Sequence, residues 1–324
     1  QGASVDDLVV VVVFDVFSVA DTVSKADGGT FDGIISTSSA GTSNLRIGAN
    51  AGDSIASGGN YNVVLGDEAG TALTTGDNNV AIGFEALSTE DADGSNTAVG
   101  YRSLKTLNAG ASGFNTAVGF DSGTSITEGI ENTLIGGRAG DALTHADYNV
   151  AVGDQSLSAD TQGSKSTAVG HGTLFAQNFT SSTDSFNTAV GYQAGLLVTT
   201  GIRNTLVGAI AGDALTDADS NTAIGYFALT ADTKGSNSTA IGAGALGSQN
   251  FTSATNSNNT AVGIDAGFAV TTGTNNTLIG ANAGDAMNTG TRNVAVGKGA
   301  LGVLTTGTDN VAIGSIDAAA EATL

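Results

Sequence analysis

The sequence contains no cysteine, no proline and no tryptophan. The lack of cysteine excludes disulfides, thiolate metal sites and cysteine nucleophiles. The lack of proline leaves every residue its backbone N–H, which suits a structure that wants nearly all of them in a hydrogen-bonded ladder. Basic residues are scarce: 10 Lys and Arg stand against 31 Asp and Glu, a formal net charge of -21. Phosphate binding needs clustered cations to displace counterions, so nucleic acid is not an expected partner. Electrostatic docking on an anionic membrane is disfavoured for the same reason. What the chain does have is glycine, 48 of 324 residues, together with 40% hydrophobic content and a mean hydropathy of +0.12. A disordered glycine-rich chain would be less apolar.

The length alone suggests about two ordinary domains, but an internal repeat overrides that prior. A five-residue unit, Asn-x-apolar-aliphatic-Gly, recurs sixteen times from Asn44–Gly48 to Asn310–Gly314, and eleven of the fifteen spacings between its glycines are 17 residues. A helix would lose roughly 1 kcal/mol at each such glycine. Short β-branched runs bounded by Gly and Asn read as strands and turns. A period of 17 held over sixteen units predicts a parallel β-solenoid with one coil per repeat.

Within each unit the residue before Gly is Val, Ile or Leu, and its predecessor is Ala, Leu or Val in all but one copy, where Arg46 stands. Neighbours in a strand point to opposite faces, so one column fills the interior and the other forms an outer apolar stripe. The expected assignment puts Val190, Val207 and Ile224 inside. Ala189, Leu206 and Ala223 are then outside, with Leu134 and Leu278 among the largest members of the stripe. A stripe of that length exceeds what a soluble monomer exposes, so these five residues are the candidate chain–chain interface.

A slower rhythm overlies the fast one. The fourth residue past Gly is Gly in two successive coils (Gly123, Gly140), then Leu in two (Leu157, Leu174), and so on. Where it is Gly, an apolar side chain follows three places later, as at Ile126, Leu143 and Leu215. Two longer spacings carry matching inserts, Gln177-Asn178-Phe179-Thr180 and Gln249-Asn250-Phe251-Thr252, which are expected to loop out on one face. Residues 1–43 lie outside the repeat and read as a separate attachment or junction segment before a shaft over 44–324. Its apolar run at residues 8–17 is too short to span a bilayer and is expected to be a strand paired in a chain–chain junction. Past Gly314 no capping segment is recognisable, which predicts either a piece of a longer fibre or a subunit whose end meets another, with end-to-end association of the chain.

Units such as Asn79-Val80-Ala81-Ile82-Gly83 and Asn187-Thr188-Ala189-Val190-Gly191 resemble the repeats of trimeric autotransporter adhesin heads, left-handed parallel β-rolls with Ala-Ile-Gly or Ala-Val-Gly in each coil. The longer version is similar to repeats in tail fibres of bacteriophages, marine ones in particular. Examples are Asn204-Thr205-Leu206-Val207-Gly208 leading into Ala211-Gly212-Asp213-Ala214-Leu215, and the Gln-Asn-Phe-Thr insert. The resemblance covers about residues 44–314 and implies a left-handed, homotrimeric shaft. It implies a virion tail fibre engaged in host attachment or, alternatively, an extracellular adhesin or filament subunit of a bacterium.

Motifs that carry chemistry elsewhere read here as repeat grammar. Gly242–Gly247 and Gly297–Gly302 match G-x-G-x-x-G but lack the strand–helix context and the later acidic residue of a nucleotide site. His145 and His171 occupy different coil positions, and a metal site needs three or four converging ligands. The recurring acids Asp91, Asp93, Asp141, Asp213, Asp217, Asp219 and Asp285 read as solvated turns rather than calcium ligands. Asn opens fourteen of the sixteen units, with Ser166 and Ser238 in the other two. Stacked Asn side chains bond up such a column. Thr is the second residue of ten units, a column that also suggests ice binding, although Val interrupts it. Phe84, Tyr101, Phe120, Tyr192 and Tyr226 follow the repeat glycine and are read as covering a chain–chain junction. Phe179 and Phe251 in the inserts are candidate receptor or loop contacts. No catalytic residue, cofactor or metal is assigned, and the expected role is structural rather than enzymatic. The expected partners are further copies of the chain, virion proteins and a host receptor.

Overall fold

The computed structural model describes residues 40–110 and 112–315. The expected strand at residues 8–17 and the chain beyond residue 315 lie outside them. Sixteen strands of three residues each, from Leu45–Ile47 to Val311–Ile313, form one parallel sheet in which every repeat pairs with the next. Equivalent positions align residue on residue: Thr188 faces Thr205, Ala189 faces Leu206 and Val190 faces Val207. The chain is thus an all-β parallel solenoid, and no helix occurs among the described residues. Strands of only three residues, with two further two-stranded ladders at the inserts, hold strand content among the described residues to about a fifth, the low end of the usual 20–25%.

The repeat glycine sets this brevity. It closes each strand at φ of 126° to 142°, a conformation that L side chains rarely adopt. A Cβ at Gly119 would also lie 2.2 Å from the carbonyl oxygen of Gly136 in the next coil. Backbone pairing continues beyond the strands. Arg102 N donates to Phe84 O, Leu104 N to Ser122 O, and Gly123 N to Ala139 O. Each turn therefore leans on its copy in the adjacent coil, and few backbone donors are left over.

The interior holds the middle residue of each strand, which reverses the expected assignment of faces. Ala189, Leu206, Ala223, Leu134 and Leu278 are all fully buried at 0% exposure. They are core residues, and none of them lies on an outer stripe. Val190 and Ile224 point outward. The reason is volume. Across the coil from the strand, the narrow interior already receives Leu87, Leu104, Leu157, Leu174, Leu229 and Leu246, or else Ile126, Leu143, Val198 and Leu215. Little beyond a methyl group fits opposite the first set.

The four-coil rhythm follows from the same constraint. Leu134 fits because Gly123 and Gly140 flank it; a Cβ there would come within 2.8 Å and 2.9 Å of its two δ carbons. Gly195 and Gly212 do the same for Leu206, and Gly267 and Gly284 for Leu278. Wherever Leu takes the place of such a glycine, the middle residue of that coil is Ala, so one large side chain is traded for another in a tightly packed interior. Arg46 has the same position in the first described coil, where its Nε donates to the Ala51 carbonyl at 2.6 Å and its Nη2 meets Asp53 at 2.7 Å.

Candidate interaction surfaces

The first and third residues of each strand face outward. At these positions stand Thr or Val beside Val, Ile or Leu, and not one is charged across the sixteen strands, apart from Leu45 all of this kind. Aromatic residues border the face on both sides. Tyr61, Phe114, Tyr148 and Phe186 precede the Asn column, and Phe84, Tyr101, Phe120, Tyr192 and Tyr226 follow the repeat glycine; all nine are exposed. Of the 23 exposed large apolar side chains among the described residues, 18 lie in these strands or within two residues of one. The exposed apolar surface is therefore concentrated on one side of the solenoid.

The aromatics after the glycine stack on each other along the coil axis. Phe84 and Tyr101 have ring centroids 5.5 Å apart at 17°, and Tyr101 and Phe120 are 5.2 Å apart at 7°. Such a ladder uses the ring faces internally and turns the edges outward, whereas a sugar platform presents faces.

The insert aromatics are not free to contact a receptor. Phe179 and Phe251 are each only 6% exposed and pack against Gly163 and Gly235, where a Cβ would sit 2.7 Å and 2.8 Å from the ring. Each is drawn in by a buried polar network that sequence reasoning missed. Asp160 accepts from Gly163 N and Phe179 N, both at 3.0 Å. Gln177 Nε2 donates to Asp160 Oδ2 at 2.6 Å and to Ser166 Oγ at 2.9 Å, while Gln177 Oε1 accepts from Asn187 Nδ2 at 2.9 Å. Asp232, Gln249, Ser238 and Asn259 repeat this arrangement.

These networks replace the Asn ladder where it is interrupted. Elsewhere the Asn Oδ1 accepts the backbone N–H of its successor, as from Asn132 to Asn115 at 2.9 Å, and the Asn Nδ2 donates to a carbonyl across the coil, as to Ala146 at 2.8 Å. Ser166 and Ser238 make room for the glutamine amide that takes over. The signal was present in the sequence: the two breaks in the Asn column precede the two inserts.

The first four-coil unit differs. Glu90 holds the place of Asp160, and Leu107 that of Gln177. Glu90 is fully buried, its Oε1 accepts from Asp93 N at 3.0 Å, and Glu90 Oε2 and Asp93 Oδ2 have no hydrogen-bond partner. Burial, joined by the neighbouring carboxylates of Asp93 and Asp91, pushes the Glu90 carboxyl up to about 7.

The remaining polar candidates are dispersed. His145 stands 3.8 Å from Glu128, and His171 stands 3.6 Å from Asp154 with its ring stacked on Tyr192. Asp141 and Asp213 accept the hydroxyls of Ser158 and Thr230 in the next coil, and burial raises both carboxyls. Asp219 accepts from Ile202 N at 2.8 Å. Among the described residues no three His, Asp or Glu side chains come together as a metal site, and no helix is long and apolar enough to cross a membrane. The two G-x-G-x-x-G stretches are turns that follow a strand. No family model, curated protein or solved structure matches the chain.

Proposed function

We propose that this chain is a structural fibre segment: a stiff, homotrimeric shaft of a phage tail fibre, located on the virion and serving host attachment. The observation that carries this reading is the unbroken, in-register stack of sixteen coils. At about 4.8 Å per coil the stack is a rod on the order of 75 Å long. Among the described residues each inner strand of the sheet pairs with the strands of its two neighbouring coils, so length is added without changing the cross-section. The interior is filled by Ala and Leu side chains and the Asn ladder, which suits a part that transmits force rather than one that converts a substrate. Three copies and the viral setting are supported by the resemblance of the repeats to adhesin heads and tail fibres.

Antibody raised against the purified chain tests the assignment. Immunogold labelling along the tail fibres of phage particles is the expected result. Labelling confined to the surface of the bacterial cell would replace the phage reading with that of an adhesin. Negative-stain images without rods of about this length would remove the shaft itself.

A further inference from the structure

We infer that the outward strand face, with its columns of Thr or Val and of Val, Ile or Leu, is where copies of this chain pack against one another. The inference rests on the shaft reading and adds to it the contact surface. It places that surface one residue away from the column first expected.

Three observations select a second copy as the occupant. The first is charge. The chain carries a formal net charge of -21, yet the outward residues of all sixteen strands are uncharged. Like-charged rods repel wherever their acidic turns meet, and this stripe is a continuous uncharged surface on which two of them meet without that penalty. A basic partner would gain nothing from an uncharged face.

The second is area. Two outward columns about 7 Å apart, with their side chains, make a strip about 10 Å wide along about 75 Å of rod. That is roughly 750 Å², close to the ~800 Å² that each partner contributes to a stable interface of standard size. The third is composition. The aliphatic centre is flanked by Tyr61, Phe114, Tyr148 and Phe186 on one side and by the Phe84–Tyr101–Phe120 ladder and Tyr192 and Tyr226 on the other. Exposed aromatics around an uncharged aliphatic strip match the make-up of interface cores.

The absence of cysteine makes a cross-linking test direct. Val207→Cys places one thiol in the centre of the face, and Leu197→Cys places one at an exposed site on another side of the coil. Under mild oxidation Val207→Cys is expected to form a covalent dimer on a non-reducing gel, while Leu197→Cys stays a single chain. In parallel, sedimentation equilibrium should give an oligomer for the unmodified chain and a single chain for Val190→Asp/Val207→Asp/Ile224→Asp with its circular dichroism unchanged. If the triple variant unfolds, the cysteine pair decides alone. An unmodified chain that sediments as a monomer, or cross-linking at residue 197 and not at 207, overturns the inference. Rods one chain wide in electron micrographs would overturn the interface and leave the shaft; the absence of rods would remove the shaft.

Discussion

Glu90 gives the most discriminating test of the interior. Its carboxyl lies where two other units hold an aspartate satisfied by glutamine, but here the glutamine is Leu107 and one carboxylate oxygen is left unpartnered. Folding therefore favours the protonated acid, and the pKa rises from 4.5 to about 7. The sign follows from linkage. A group whose folded pKa is raised contributes its full stabilisation below its unfolded value and loses it as pH climbs through the folded one. Stability around this coil should accordingly fall between about pH 4.5 and 7 and level off above. Full conversion of the shift at 1.36 kcal/mol per unit gives at most about 3 kcal/mol. Relaxation of the turn and entry of water on ionisation reduce this, so a loss of about 1–3 kcal/mol is expected.

Hydrogen exchange reads the loss locally. The amide of Asp93 bonds to Glu90 Oε1 at 3.0 Å, and its protection factor should drop between pH 5 and pH 8. The equivalent amides of Gly163 and Gly235, bonded to Asp160 and Asp232, serve as references in the same chain. Glu90→Gln should remove the pH dependence at Asp93 and raise protection there at pH 8, with little effect at pH 5. Protection at Asp93 that is flat or rising with pH, or that keeps the same slope in Glu90→Gln, would refute the reasoning.

Leu206→Ala should cost about 2–5 kcal/mol in urea unfolding at fixed protein concentration, because a fully buried leucine leaves a cavity. Gly212→Ala should cost about 1–3 kcal/mol through overpacking against Leu206. The double variant should fall short of the sum by about 1 kcal/mol or more, and simple additivity would deny the shared space. Gln177→Ala strands Asp160 Oδ2 in the interior and should cost about 1–3 kcal/mol, with new proteolytic cleavage near residues 178–183; unchanged resistance would mean the insert is held by other contacts. Leu206→Asp should abolish cooperative unfolding while Val207→Asp keeps the circular dichroism of the folded chain, and equal damage from both would contradict the placement of the faces.

Most of the architecture was legible because the repeat is a physical instruction rather than a statistical tendency. A glycine that must take φ near +135° cannot be replaced, so it marks every coil boundary in the sequence. Asn in nearly every coil likewise announced a stacked ladder, and the structure places those side chains as the ladder requires. The buried networks were harder to see. Gln177 is 17 residues from Asp160 and 11 from Ser166, and only the fold brings them within bonding distance. Phe179 and Phe251 look like loop-tip aromatics for the same reason, since nothing local says that a backbone N–H is being pulled onto a buried carboxylate.

The reversal of the two apolar columns has a different origin. Alternation within a strand establishes that Leu206 and Val207 face opposite ways, but it is silent on which way is inward. That choice depends on how much room the far side of the coil leaves, and the far side is encoded four to seven residues downstream. The sequence does contain the answer as a correlation. Val64, Leu134, Leu206 and Leu278, the only large uncharged middle residues, each occur in a coil whose later position is Gly70, Gly140, Gly212 or Gly284, and never in a coil with Leu there. Residues that trade volume in this way must share one enclosed space. The partner column, always Val, Ile or Leu regardless of coil type, trades volume with nothing inside its own chain. A constraint from outside the coil is what the proposed packing of copies against the strand face would impose on that column.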